Sequence, residues 1–267
     1  AEKIARVSDV RAGDLDNDGD MDLAIAQFGY DDGETRWIEN LGNWKFQNHI
    51  LQNLSGPVNV EIVDIDKDGD QDIISIVSQE WEEIYCFVND GKGNFTPKLL
   101  WGSNNEDFGS SGIYISDVDM DGDDDILYTN GDAFDYIPPQ PRPWHGVQWL
   151  ENKGNMNFEF HRICNFAGAY NARPTDIDHD GDLDLFVGGR LVPGSYPFAP
   201  RSYILENNGN GYFKDVTEQY NKSLMNPGMV TDAVWTDFNG DKQPDLIIAG
   251  EWMGIRLFQN NGKNLTE

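Results

Sequence analysis

Asp14-Leu15-Asp16-Asn17-Asp18-Gly19-Asp20-Met21-Asp22, running straight into the apolar segment Leu23 to Ala26, carries the reading of this chain. Carboxylates crowded this closely cannot enter a packed core, and they repel one another by roughly several kcal/mol unless a cation sits among them. The loop returns with Asp64, Asp66, Asp68, Asp70 and Asp72, then with Asp117, Asp119, Asp121, Asp123 and Asp125, then with Asp176, Asp178, Asp180, Asp182 and Asp184. A looser fifth copy sets Asp237, Asn239, Asp241, Gln243 and Asp245 in the same frame. Side-chain oxygens at positions 1, 3, 5 and 9, a backbone carbonyl at position 7 and a reversal at Gly in position 6 describe a hard-oxygen cage. Its natural occupant is Ca²⁺.

Three other readings compete. An ordinary Asp/Asn/Gly turn explains one copy, not a pattern that recurs along one chain. An EF-hand needs a bidentate Glu at position 12, where this chain has Ile25, Ser75, Tyr128, Val187 and Ile248. Mg²⁺ keeps most of its waters and rarely uses an all-protein cage. The fifth copy moves its Gly to position 4 and puts Lys242 at position 6, so it is expected to bind more weakly. The position 2 residues Leu15, Ile65, Val118, Ile177 and Phe238 are expected to point into the core, and His179 at position 4 into solvent.

The loops start at residues 14, 64, 117, 176 and 237, a spacing that points to propeller blades or another repeat array. An Asn-x-Gly turn recurs once per repeat: Asn40-Leu41-Gly42, Asn89-Asp90-Gly91, Asn152-Lys153-Gly154, Asn207-Asn208-Gly209 and Asn260-Asn261-Gly262. Asn and Gly both tolerate the positive φ of a tight hairpin. Between these marks lie short β-branched and aromatic runs; in repeat 2 they are Val58 to Val63, Ile73 to Val77, Ile84 to Val88 and Phe95 to Leu100. The expected fold is all-β: four-stranded antiparallel meanders, A to D, packed as the blades of a β-propeller. Five blades are visible, over roughly 4–52, 57–100, 111–163, 170–220 and 228–267, in one domain. Only residues 217–223 have room for a turn or two of helix.

Composition agrees. Of 267 residues, 47 are acidic and 19 are Lys or Arg, giving a formal charge of −28. Half of the acids lie in the five loops. This balance argues against a nucleic-acid partner. No apolar stretch approaches a membrane span, and Ala1-Glu2-Lys3-Ile4 lacks a signal-peptide core, as a processed secreted chain would. Cys86 and Cys164 fall in different repeats and are expected to be unpaired.

The D-x-D-x-D-G-x-x-D loop, the strand after it and the Asn-x-Gly turn with its following aromatic resemble the FG-GAP/VCBS repeat family across essentially the whole chain. That resemblance implies a β-propeller whose loops bind Ca²⁺ for rigidity while the opposite face holds a partner. Apart from Phe28-Gly29 and Phe108-Gly109, the Phe-Gly and Gly-Ala-Pro signatures of integrin α subunits are absent, which favours the bacterial VCBS type. Relatives of that type commonly have seven or eight blades, so the five visible here are either a closed ring or part of a larger one.

In such a meander the B–C connections lie on the rim opposite the acidic loops. They carry Tyr30, Trp81, Tyr136, Trp144, His145, Tyr196, Phe198 and Trp252, on stretches stiffened by prolines such as Pro138, Pro143, Pro193 and Pro200. These rings either cap the blade ends or anchor a glycan or protein ligand. The expected function is an extracellular, periplasmic or cell-surface binding module. Alternatives are a polysaccharide lyase or hydrolase, with His145 as its one rim histidine, and a structural subunit of a surface assembly.

Overall fold

A computed structural model describes residues 6–79, 81–133, 138–209 and 211–267. The described residues form five four-stranded antiparallel sheets, each following the chain from strand A to strand D. The first comprises β1 (Val7–Gly13), β2 (Asp22–Gln27), β3 (Glu34–Asn40) and β4 (Phe46–Gln52). The second has β5 (Pro57–Val63), β6 (Asp72–Val77), β7 (Glu83–Asn89) and β8 (Phe95–Gly102), and the third β9 (Ser110–Ser116), β10 (Asp125–Asn130), β11 (Gly146–Asn152) and β12 (Phe158–Asn165). The fourth has β13 (Ala169–Thr175), β14 (Asp184–Gly189), β15 (Tyr203–Asn207) and β16 (Phe213–Asp215), and the fifth β17 (Met229–Thr236), β18 (Asp245–Glu251), β19 (Arg256–Asn260) and β20 (Leu265–Thr266). These are open sheets of the propeller-blade kind, as the sequence predicts. The short α1 (Thr217–Tyr220) and a 3₁₀ turn at Lys222–Met225 fill the stretch where a helical turn was expected.

The acidic loop fixes each A–B register. Position 9 is the first residue of strand B and pairs with the last residue of strand A: Gly13 with Asp22, Val63 with Asp72, Thr175 with Asp184, and Thr236 with Asp245. Strands β6, β10 and β14 are buried on both faces, whereas strand D is largely exposed in β4 and β8. The run after each loop is therefore the centre of its blade, consistent with its mainly apolar sequence.

The chain divides into two compact units, Ala1–Ile115 with Asn152–Glu159, and Ser116–Glu151 with Phe160–Glu267. In the first, Leu15, Ala24, Trp37, Val60, Ile73 and Phe87 form one apolar cluster, and Arg11 on β1 donates to both oxygens of Glu61 on β5 at 2.9 Å. In the second, Ile177, Phe186, Ile204, Val230, Leu246 and Phe258 cluster, and Arg173 on β13 reaches Asp232 on β17 at 2.7 Å. Each unit thus shows the same seam: an apolar cluster shared by two sheets, with an arginine from one strand A to an acid on the next. Leu15, Ile65, Val118 and Ile177 are buried, as position 2 requires. Phe238 is not; it is 43% exposed, a correction that belongs to the loop with the irregular sequence. Both cysteines are free, Cys86 buried and Cys164 half-buried.

Candidate metal centres and the aromatic rim

The first four loops each gather three carboxylates whose oxygens lie within 4.8 Å of one another: Asp14, Asp16 and Asp18; Asp64, Asp66 and Asp72; Asp117, Asp119 and Asp125; Asp176, Asp178 and Asp180. The loop draws its own backbone around position 1. Asp14 accepts from the N–H groups of Asp18 at 3.2 Å and Gly19 at 3.0 Å, and Asp64 repeats this with Asp68 and Gly69. Positions 4 and 6 both adopt left-handed backbone in every copy, for example Asn17 at φ 60° and Gly19 at φ 91°. The fifth loop meets the same demand with its residues exchanged, Gly240 at φ 85° and Lys242 at φ 71°. Its displaced glycine therefore preserves the loop's conformation.

Whether these residues suit a divalent cation is tested by what they leave unsatisfied. Asp117 Oδ1 and Asp176 Oδ1 are buried without a hydrogen-bond partner, an arrangement that is costly for a carboxylate oxygen and natural for a metal ligand. The electrostatics agree. Burial, first of all, pushes the Asp72 and Asp184 carboxyls up to about 7; two backbone N–H groups oppose the rise, and the neighbouring carboxylates at positions 3 and 5 add to it. Asp22 and the position 3 residues Asp16, Asp66, Asp119 and Asp178 are also shifted upward, chiefly by burial. Without a cation these groups resist ionising, and a cation removes that resistance. Asp237 in the fifth loop behaves oppositely: backbone N–H groups, led by that of Lys242, lower its pKa. That loop satisfies its own carboxylate.

Position 9 has a second task. Asp22, Asp72, Asp184 and Asp245 are buried, and each bridges two backbone N–H groups. In Asp72 one oxygen accepts from Ile65 at 3.2 Å and the other from Asn89 at 2.8 Å; Asp22 does the same with Leu15 and Asn40. This carboxylate therefore ties the acidic loop to the Asn-x-Gly turn beside it. Position 7 side chains lean toward that turn too: a Cβ at Gly91 would meet Asp70, and one at Gly209 would meet Asp182. Gln243 lies at the same position, where its side chain bonds exposed His179 at 2.6 Å.

The positive φ that the hairpin requires is supplied by the glycines, Gly42, Gly91, Gly154, Gly209 and Gly262. The Asn side chain is a staple. Asn89 donates to the carbonyls of Leu15 and Gln71, both at 2.8 Å; Asn152 donates to Ile65 at 3.4 Å and Asn260 to Ile177 at 3.2 Å. Each of these amides thus reaches position 2 of the preceding loop. Asn89→Ala should lower stability by about 2–4 kcal/mol, from buried carbonyls left unpaired. Asn40→Ala, at a half-buried position, should cost less; denaturant melts of the two variants compare them.

Sequence reasoning also missed a pair of histidine clamps. His49 bonds Glu39 at 2.7 Å and stacks on Trp37, while His161 bonds Glu151 at 2.7 Å and lies against Trp149. The signal was present: Trp-x-Glu-Asn-x-Gly followed by His nine residues after the Asn occurs in both copies. Glu151 is close enough to Asp119 to help raise its pKa, and a cleft of about 720 Å³ lined by Asp119, Glu151, His161, Asp182 and Tyr212 opens there.

On the B–C connections, Tyr30 is exposed and packs edge-on against Phe28, and Trp81 is half exposed. Trp144 is half-buried beneath Arg142, and Tyr136 lies outside the described residues. His145 is corrected: it is 1% exposed, and burial, with Arg142 and Arg162 nearby, lowers its pKa to about 4. It stands at the mouth of fully buried β11, out of reach of a polymer. Tyr196 and Trp252 are brought together. The Trp252 indole N–H donates to the Tyr196 hydroxyl at 3.0 Å, and that hydroxyl donates to Glu251 at 3.0 Å. Arg190 pairs with Glu251 at 2.7 Å, and Phe198 stands exposed on the Tyr196 loop. No helix among the described residues is long and apolar enough to cross a membrane.

No curated protein matches the chain. Among solved structures, the V. cholerae biofilm matrix protein Bap1 is similar over 98% of this chain and 38% of its own, at 18% identity and a TM-score of 0.50. BBS1N, solved in complex with ARL6DN, is similar over 98% of this chain and 81% of its own, at 12% identity and a TM-score of 0.43. The likeness to Bap1 is one of fold, and this chain spans only 38% of that protein's length. The FG-GAP-like repeat profile matches twice, over residues 14–75 and 64–128, from the first acidic loop through the strand after the third. With loop, strand and turn repeated in the geometry described above, residues 14–128 are FG-GAP-like repeats, which supports the chain's place in the FG-GAP repeat family.

Proposed function

We propose that this chain is a calcium-stabilised, extracellular adhesion module that holds a glycan or protein through its aromatic B–C rim. The observation that carries the reading is the division of labour among the side chains. Asp117 and Asp176 leave buried oxygens with no protein partner, while Trp252 and Tyr196 stand exposed on the connections between strands B and C. Asp14, Asp16, Asp18 and Asp22, with their counterparts in the other loops, would hold Ca²⁺, which supplies charge neutralisation and rigidity. Partly exposed cages of this kind suit the roughly millimolar calcium found outside cells. A V. cholerae biofilm matrix protein with a similar fold makes an adhesive role outside the cell the natural one to test.

Beads carrying the chain should be retained on a biofilm-coated surface in calcium and released by chelator. Equal retention in both, or none in either, removes the proposal. Within the module the loops should rank by ligand supply. Asp66→Ala, which removes a charged cage oxygen, should lower the calcium-loaded melting temperature more than Asn239→Ala. The opposite order would place the strong site in the fifth loop.

A further inference from the structure

We infer that Trp252, Tyr196, Glu251 and Arg190 form a preorganised subsite for one pyranose ring of a neutral glycan; this rests on the adhesion reading and names its ligand class. Trp252 is 83% exposed, and its backbone lies in the left-handed region at φ 57°, which a bulky side chain enters only against a steric penalty. Exposure and strain at one tryptophan are two unfavourable terms that folding does not require. The ring is nonetheless held: its indole N–H is tied to the Tyr196 hydroxyl at 3.0 Å, so one edge is engaged while its surface stays open to solvent. A ligand that stacks there loses little additional side-chain freedom.

Polar groups follow from that edge. The Tyr196 hydroxyl bonds one oxygen of Glu251, and Arg190 bonds the other from above the Tyr170 ring, 4.7 Å from its centroid. Donors and acceptors are therefore fixed beside an apolar ring. A pyranose has that same pairing, a C–H face ringed by hydroxyls. Charge selects among glycans. The positive charge of Arg190 is spent on Glu251, and the chain carries a formal −28, so a polyuronate or sulfated chain meets repulsion and no unpaired cation in this cluster.

Calorimetric titration of the calcium-loaded chain with neutral hexasaccharides (β-1,4-glucan, α-mannan and β-galactan) tests this against an oligo-uronate of equal length. At least one neutral probe should bind saturably. Trp252→Ala should weaken it about tenfold or more, Trp252→Phe less, and Tyr196→Phe several-fold. Unchanged calcium-loaded melting temperatures would certify that these variants fold. Binding of the uronate alone, no binding of any neutral probe, or equal affinity in Trp252→Ala overturns the inference. Bead retention then separates the two proposals. If retention on a protein-coated surface is lost in Trp252→Ala while no sugar binds, the adhesion reading stands with a protein ligand. If neither retention nor sugar binding depends on Trp252, both fall.

Discussion

Calcium added to chelator-stripped protein should raise its melting temperature by about 12–24 °C. At about 10 mM, against a dissociation constant near 1 mM, each occupied cage contributes about 1.4 kcal/mol. Four cages then give about 6 kcal/mol, and a chain of this size gains roughly 2–4 °C per kcal/mol. The pH dependence should reverse with the ion. In the stripped protein, Asp72 and Asp184 have folded pKa values raised to about 7, so they bind protons more readily folded than unfolded. The stability tied to that protonation is fully present below the ordinary carboxylate range and is lost as pH rises through about 7. Stripped protein should therefore melt higher near pH 5 than near pH 8. The calcium-loaded protein should do the opposite, because its ligands bind as anions. Scanning fluorimetry over that range checks both, and a calcium-insensitive melt would refute the metal reading.

Asp72→Ala should be the most damaging substitution in the acidic loops. It removes a carboxylate proposed to hold the metal and also strips the N–H groups of Ile65 and Asn89 of their acceptor. Each buried donor left unpaired costs about 1–3 kcal/mol, so a loss of about 2–6 kcal/mol is expected even in chelator. Asp66→Ala, whose carboxylate lies toward the cage, should cost little in chelator and show its effect only when calcium is present. Urea melts of both variants with and without calcium separate the two tasks. Equal losses in chelator would mean that position 9 has no structural part.

Most of the fold was legible because its signals are local. The acidic loop is followed at once by its strand, so the repeat, the strand order and the burial of Leu15, Ile65, Val118 and Ile177 all follow from short-range pattern. The roles of single residues were less legible. Asn89 looks like a turn residue in sequence, yet its side chain serves the Leu15 carbonyl, 74 residues away. His145 follows a proline-rich run that suggests exposure, but β11 begins at the next residue and carries it inward. The Tyr196–Trp252 contact joins two connections 56 residues apart, and nothing in either loop announces the other. Sequence named eight rim candidates; side-chain geometry joins Tyr196 to Trp252.

The Asn staples bear on how such arrays lengthen. A segment spanning one loop and one turn contains both the carbonyl that receives a fastening from its successor and the amide that fastens its predecessor, as Ile65 and Asn89 show within a single repeat. Tandem duplication of that segment yields neighbours already able to join, without any compensating substitution. Blade number can then drift in evolution while the junction chemistry stays fixed.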